Sequence, residues 1–342
     1  MHHPLSKRPI LVYGAAGHTA SFVIASLLGQ GHQVVLAGHD EARLQKAFPG
    51  VPASEFRLFE LGDPDRTRRA IAGSSMVVNC AGPFADTTEH LLQAALETGA
   101  HYLDIAAEQA VARAVLEQWN DRTEAAGVIA VPAMGFYGGL GDLLATAAMH
   151  DWTDADEVSV YIALDSWHPT AGTRRTGQRN AGRYLVFSGG RLQPPPATTP
   201  RTTWQFPDDF GVQQMIGISA ADVVTIPSHL RVQNVPAWIN EAPIEDLHNT
   251  ETPPPVAVDD SGRSAQRFSV QVVARRGGVE RRAAASGQDI YAVTGPLVAQ
   301  AATRILAMNG RRKGSLSAGQ LFDAREFLLA LSPQPLSLVL ER

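Results

Sequence analysis

The apolar run Ile10-Leu-Val-Tyr13 passes directly into Gly14-Ala-Ala-Gly17-His-Thr-Ala20, and an apolar helical pattern over residues 21–28 follows at once. A strand, a glycine turn and a helix in that order constrain the fold more than any other feature of the chain. They set a helix N-terminus, with its unshared amide groups, just past the carboxyl end of a strand, the arrangement that receives a dinucleotide's diphosphate. Gly14 permits the tight turn, Gly17 lets the backbone approach the phosphates, and the small Ala20 lets the helix close on the strand. Ala15, Ala16, His18 and Thr19 complete the turn, with His18 read as a contact through its backbone. A plain glycine turn between strand and helix has the same spelling, so the motif gains its weight from its place between the two.

The same rhythm continues. Residues 33–38, 56–61, 76–80, 101–105 and 128–131 read as further strands, separated by helical patterns over 41–48, 65–72, 88–98 and 110–126. This alternation predicts an α/β fold, a Rossmann-type doubly wound parallel sheet. The character changes near residue 150. Residues 157–164 alternate apolar and polar, and 268–274 and 279–286 flank Arg275-Arg276-Gly277-Gly278, a hairpin signal. A helix is expected over 173–188, and helices return over 295–308 and 318–331. The expected organisation is a nucleotide-binding domain over 1–150, completed by the helices of 291–342. Between them lies an inserted α+β domain over 151–290, with an antiparallel or mixed sheet, for substrate and dimerisation.

Composition narrows the class. The chain has 342 residues, 44% of them apolar, enough for about two domains with sizeable cores. A net charge of −5 argues against a nucleic-acid partner, which needs a basic face. Cys80 is the single cysteine, so neither an internal disulfide nor a multi-thiolate zinc site can form. No His/Asp/Glu cluster has metal spacing and no Gly-x-Ser-x-Gly elbow is present, so no metal and no hydrolase chemistry is expected. No apolar run reaches bilayer length, and the start lacks a signal-peptide core. A soluble, cytoplasmic protein with no membrane partner is expected.

Ligands of open parallel sheets bind beyond the carboxyl ends of the strands, and several segments should meet there. Cys80-Ala81-Gly82-Pro83-Phe84 ends the fourth strand, with small residues that let backbone lie along a cofactor; a tight turn would use the same residues, and Cys80 reads as a small buried filler. Asp104 and Glu108 follow the fifth strand and read either as proton-handling carboxylates or as a helix cap and an ion-pair partner. Tyr137, in a glycine-rich bend, reads as a proton donor or as packing. Thr173 reads as a helix cap. Arg175 and Arg179 share a helix face, which is either an anion cradle for the substrate or a solvated surface.

The local spellings Val12-Tyr-Gly-Ala-Ala-Gly17, Val77-Val-Asn-Cys-Ala-Gly-Pro-Phe84, Gly99-Ala-His-Tyr-Leu-Asp104 with Glu108, Ala133-Met-Gly-Phe136, Tyr291-Ala-Val-Thr-Gly295 and Gly319-Gln-Leu-Phe-Asp-Ala324 occur in that order. With them the chain resembles the saccharopine dehydrogenase-like oxidoreductases, a group that includes the trans-acting enoyl reductases. The resemblance implies a nicotinamide cofactor, NADP with NAD as the alternative, and a second domain whose open sheet serves dimer contacts. It implies a substrate position for Phe136. Two departures stand out. The family's arginine after the second strand, which holds the 2′-phosphate of NADP, is His39 here, with Arg43 one helical turn on as its substitute. The family's carboxylate after the phenylalanine is Tyr137.

The sequence therefore predicts an NAD(P)-dependent oxidoreductase, a homodimer, moving a hydride to or from a small C=O, C=N or C=C substrate. The competing expectation is a non-catalytic NAD(P)-binding redox sensor or regulator. A third is an imine-reducing synthase with paired acidic residues.

Overall fold

Residues 10–13 form strand β1 (Ile10–Tyr13), buried at every position in the computed structural model, which describes residues 8–207 and 209–341. Such all-round burial belongs to a strand covered on both faces. β2 (Val34–Gly38), β3 (Arg57–Leu58), β4 (Met76–Asn79), β5 (His101–Asp104) and β6 (Ile129–Val131) join it. The sheet order is Gly314–Ser315, β6, β5, β4, β1, β2, β3, with parallel pairings. The order reverses at β1, between β2 and β4, and opens a crevice beyond the carboxyl ends of β1 and β4. This is the doubly wound sheet expected from the sequence.

Some elements differ from expectation for local reasons. The third strand shrinks to Arg57–Leu58. The long helix expected over 110–126 breaks into Gln109–Arg113, a wide turn at Ala114–Gln118 and Asn120–Ala126, with Trp119 turned into the core. The seventh strand, Gly314–Ser315, is too short to show a period. Helix Thr294–Ala307 returns to pack on helix His18–Gly29. Gly295 makes this approach possible, because a Cβ there would overlap the Phe22 carbonyl.

The chain divides into two units, one running to Gly135 and resuming at Thr294–Leu316, the other made of Phe136–Val293 and the residues from Ser317 on. The boundary lies at Gly135 and not at 150 because helix Gly139–Met149 lies on the second unit's sheet. That helix is apolar and buried almost all round. The residues after Ser317 also join the second unit, since Ser337–Leu340 pairs with Val279–Gln288. The helix expected over 318–331 is two short ones, Ala318–Leu321 and Ala324–Leu329, the second started by the Asp323 side chain accepting from the Glu326 amide at 2.9 Å.

The second sheet runs Arg201–Gln205, Val212–Ile218, Ala237–Asn240, Asp154–Leu164, Arg267–Arg276, Val279–Gln288, Ser337–Leu340, with Arg231–Asn234 also paired to Asp154–Leu164. It is mixed: Ala237–Asn240 is parallel to Asp154–Leu164, and the hairpin Arg267–Arg276/Val279–Gln288 is antiparallel. Gly277 and Gly278 turn that hairpin with φ of 54° and 83°, as its two-residue loop requires. Among the described residues no helix is long and apolar enough to cross a membrane, and no group of His, Cys, Asp and Glu is arranged to hold a metal ion.

Candidate functional site

The first unit carries a crevice at the end of β1. Gly14 has φ of 78°, and a Cβ there would stand 2.8 Å from the Ala81 side chain, so two loops meet closer than any larger residue allows. The amides of Gly14 and Ala15 both donate to the Ala37 carbonyl, at 3.0 and 3.1 Å, and that of Gly17 donates to the Gly14 carbonyl at 2.9 Å. The turn is thus folded by its own backbone and pinned to β2. Helix His18–Gly29 begins after Gly17, which contributes no side-chain cap, so the first-turn amides face outward for an anion's oxygens. The His18 ring stands edge-on to Phe22 at 5.3 Å, which leaves the loop's backbone to make the approach. These features fit a dinucleotide diphosphate.

The loop after β4 is held from two sides. The Asn79 carboxamide oxygen accepts from the Ala81 amide at 3.0 Å, and its nitrogen donates to Thr87 at 2.9 Å and to Tyr102 at 3.2 Å. Glu108 reaches back and accepts from the amides of Phe84 and Ala85, at 3.2 and 3.0 Å, at the start of helix Phe84–Thr98. Asp104, fully buried, accepts from the amides of Ala106 and Ala133 at 3.0 and 2.7 Å, and from the Tyr102 hydroxyl at 3.1 Å. Burial pushes its carboxyl up to about 6, against the downward pull of those hydrogen bonds. Both carboxylates are occupied in fastening loops. Burial, with the Asp104 charge, raises the Cys80 thiol above its ordinary range, so it holds its proton.

At the end of β2, Asp40 caps helix Glu41–Ala47 by accepting from the Arg43 amide at 3.0 Å. It is therefore committed to the helix. His39 and Arg43 are both exposed beside it.

The second unit gathers the other expected residues. The Tyr137 ring stacks on Trp167 at 5.9 Å and meets Phe136 edge-on at 5.0 Å, and Phe136 meets Phe268 in the same way. The Tyr137 hydroxyl is buried with no hydrogen-bond partner among the described residues. Burial, with Tyr291 and Asp222 nearby, holds its pKa well above the ordinary phenol value. The Tyr291 hydroxyl is a hub, contacted by the Trp167 indole N–H at 3.2 Å, the Thr170 amide at 3.3 Å and the Thr173 hydroxyl at 3.0 Å. Helix Ala171–Asn180 is capped by Thr170, which accepts from the Thr173 amide at 3.1 Å; Thr173 was expected in that role, but its side chain turns to Tyr291 instead. The helix ends at Asn180 and not at 188, since Val186–Ser188 is a strand. Arg175 and Arg179 lie on its exposed side, while Arg174 donates to the carbonyls of Leu247, Asn249 and Thr252.

Two further carboxylates were not singled out from the sequence. Asp142 accepts from the Gly319 amide at 2.7 Å and meets His229 Nε2 at 2.7 Å. Asp222 lies over the first turn of helix Gly139–Met149, where a Cβ at Gly141 would overlap its carboxylate, and burial lifts its carboxyl to about 6. The available signal was an acid inside an otherwise apolar run, Gly139-Leu-Gly-Asp142-Leu-Leu and Ala220-Ala-Asp222-Val-Val.

The fold is of Rossmann type, and its crevice fits a dinucleotide. Residues 10–131 match the family described as the saccharopine dehydrogenase NADP binding domain. The resemblance to saccharopine dehydrogenase-like oxidoreductases holds. A probable mitochondrial saccharopine dehydrogenase-like oxidoreductase of Arabidopsis thaliana is 25% identical over 181 residues, 48% of this chain and 40% of that protein. A lipid droplet localized protein of Caenorhabditis elegans is 26% identical over 144 residues, 39% of this chain and 34% of that one. The chain thus matches well under half the length of these relatives. Apo saccharopine dehydrogenase (L-Glu forming) of Saccharomyces cerevisiae shares the fold with a TM-score of 0.66 at 12% identity, over 97% of this chain and 99% of that one.

Proposed function

We propose that the protein is an NADP-dependent oxidoreductase acting on a small C=O, C=N or C=C substrate. The observation that carries this reading is the Gly14 turn set against Ala81 at the β1–β4 crevice, where no side chain fits and backbone can meet a diphosphate. The backbone of residues 14–20 would hold the diphosphate, and residues 80–84 would lie along the nicotinamide ribose. His39 and Arg43 would meet the 2′-phosphate, for which Asp40, engaged as a cap, is no competitor. When bound, the nicotinamide supplies or accepts the hydride.

In this reading Asp104 and Glu108 hold the loops that shape the crevice and do not move protons. Tyr137 is the proton donor, supported by its buried hydroxyl without a partner. Phe136 and Trp167 give the substrate an apolar wall, and Thr173 with Tyr291 fixes the neighbouring loop. Arg175 and Arg179 attract an anionic substrate group from the exposed helix face. The protein works as a cytoplasmic homodimer through its second sheet, whose order ends on the exposed strand Ser337–Leu340. Calorimetry with NADPH and NADH, followed by turnover of a carbonyl, imine and enoyl panel, tests the reading. Tight NADPH binding with turnover supports it. Binding without any turnover selects the non-catalytic sensor, and no binding of either coenzyme removes both.

A further inference from the structure

We propose that the second unit carries a ligand site of its own, for a neutral, largely apolar small molecule with one oxygen acceptor. The site is a cavity of about 270 Å³ bounded by the proline-rich segment 194–200 and the strands Val212–Ile218 and Ala237–Asn240. It is independent of the coenzyme reading, and none of Phe136, Tyr137, Trp167, Thr173 or Tyr291 lines it. Proline and aromatic rings supply much of the lining (Pro195, Pro196, Phe187, Trp238), together with the buried Val235 and Ala237. Hydrogen bonds hold these segments in place without a ligand. The Asn234 side-chain oxygen accepts from the Ser188 hydroxyl at 3.0 Å and from the Gly189 amide at 3.2 Å, and the Val235 amide donates to the Phe187 carbonyl at 3.0 Å. The Gly217 amide donates to the Pro200 carbonyl at 2.9 Å. A Cβ at Gly217 would stand 2.7 Å from the Pro200 ring, so glycine lets the proline-rich segment come this close. A pre-formed concave site lined mainly by apolar and aromatic groups is the usual setting for a small ligand.

Size, charge and one polar group define the ligand. An apolar cavity of about 150 Å³ holds one benzene, so this one has room for about ten non-hydrogen atoms. Among the described residues that line it there is no lysine, arginine or histidine. Its one carboxylate, Glu157, already accepts from Arg275 at 2.6 Å and from Ser159 at 2.5 Å. A phosphate or carboxylate would meet that negative charge with no cation on the wall, so the ligand is neutral. Trp238 supplies the polar point. Its ring lines the cavity and lies nearly parallel to Tyr161 at 6.4 Å, and its indole N–H is buried with no acceptor among the described residues. Buried indole N–H groups ordinarily have a partner. A hydroxyl or carbonyl oxygen on the ligand gives this one its acceptor, while the rest of the molecule covers the half-buried Phe187 and Ile218.

The test uses the full chain with 1-octanol as the probe and needs no coenzyme. Calorimetry should show saturable binding. In fluorescence, 8-bromo-1-octanol, whose bromine quenches an indole only on contact, should dim part of the tryptophan emission. Trp238→Phe removes both the reporter and the N–H and should lose most of that quenching. Val186→Trp fills the cavity and should weaken octanol by more than about tenfold in calorimetry. Octanoate, the same chain with a negative charge, should bind at least about tenfold more weakly than the alcohol. The inference is overturned by absence of saturable octanol binding, by quenching that survives in folded Trp238→Phe, by unchanged affinity in folded Val186→Trp, or by octanoate binding as tightly as octanol. Should one variant not fold, the other decides.

Discussion

The carboxylate of Glu108 accepts from the Ala85 amide at 3.0 Å, across 23 residues of sequence, and so caps a helix to which it does not belong. The same carboxylate takes the Phe84 amide, and the helix that starts there has no side-chain cap of its own. Glu108→Ala leaves two helix-start amides without acceptors beside the crevice. It should lower stability by about 1–2 kcal/mol, as loss of a cap does, and weaken nucleotide binding through the loosened loop. Thermal melts and calorimetry measure both effects, and Glu108→Gln should recover most of the loss.

Gly14 and Ala81 define how closely two loops can meet. Gly14→Ala puts a methyl group 2.8 Å from the Ala81 side chain, at a backbone φ that alanine resists. The loops must separate, and the diphosphate then loses its backbone donors. NADPH affinity should fall by more than about tenfold, equivalent to about 1.4 kcal/mol, while the circular dichroism spectrum stays native. Unchanged affinity in calorimetry would remove the crevice as the nucleotide site.

In the proposed reading, cofactor choice turns on His39 and Arg43, both exposed beside the Asp40 cap. Arg43→Ala should weaken NADPH by about tenfold, the scale of one charge-assisted phosphate contact, and leave NADH unchanged. His39→Arg should strengthen NADPH, because a guanidinium offers phosphate a fork of parallel N–H donors that an imidazole lacks. Equal loss for both coenzymes in R43A would place Arg43 away from the 2′-phosphate.

How much of this was legible beforehand follows from the range of the interactions. The Gly14 turn, the Asp40 cap and the Gly277-Gly278 hairpin are local: each is a few residues of turn chemistry, and each appears where the sequence puts it. The doubly wound order follows from alternating strands and helices alone. The partners of Glu108, Asp142 and Asp222 come from elements far along the chain, and no spacing rule names them. Asp104 reads from sequence as a catalytic acid or a cap; its contact with the Ala106 amide is local, but its other amide partner, Ala133, becomes visible only once β5 and β6 lie side by side. The broken helix near Trp119 kept a helical period through the break, so periodicity could not show it.

Two buried carboxyls set an unusual dependence of stability on pH. Burial raises Asp104 and Asp222 from an ordinary value near 3.8 to about 6 in the folded chain. Below the unfolded value both states hold these protons and the contribution to stability is complete. Between about 4 and about 6 the unfolded chain releases them while the folded chain keeps them, so stability falls as pH rises through that window and levels off above it. Each group accounts for a decline on the order of 2–3 kcal/mol. Asp104→Asn keeps an oxygen for the Ala106 and Ala133 amides and turns its nitrogen toward the Tyr102 hydroxyl oxygen. That variant should remove its share of the decline, and D222N should remove the other. Urea unfolding of the native protein and both variants at pH 4, 5, 6 and 7 measures the slopes. If D104N declines as steeply as the native chain, Asp104 is ionised throughout and its burial carries no such penalty.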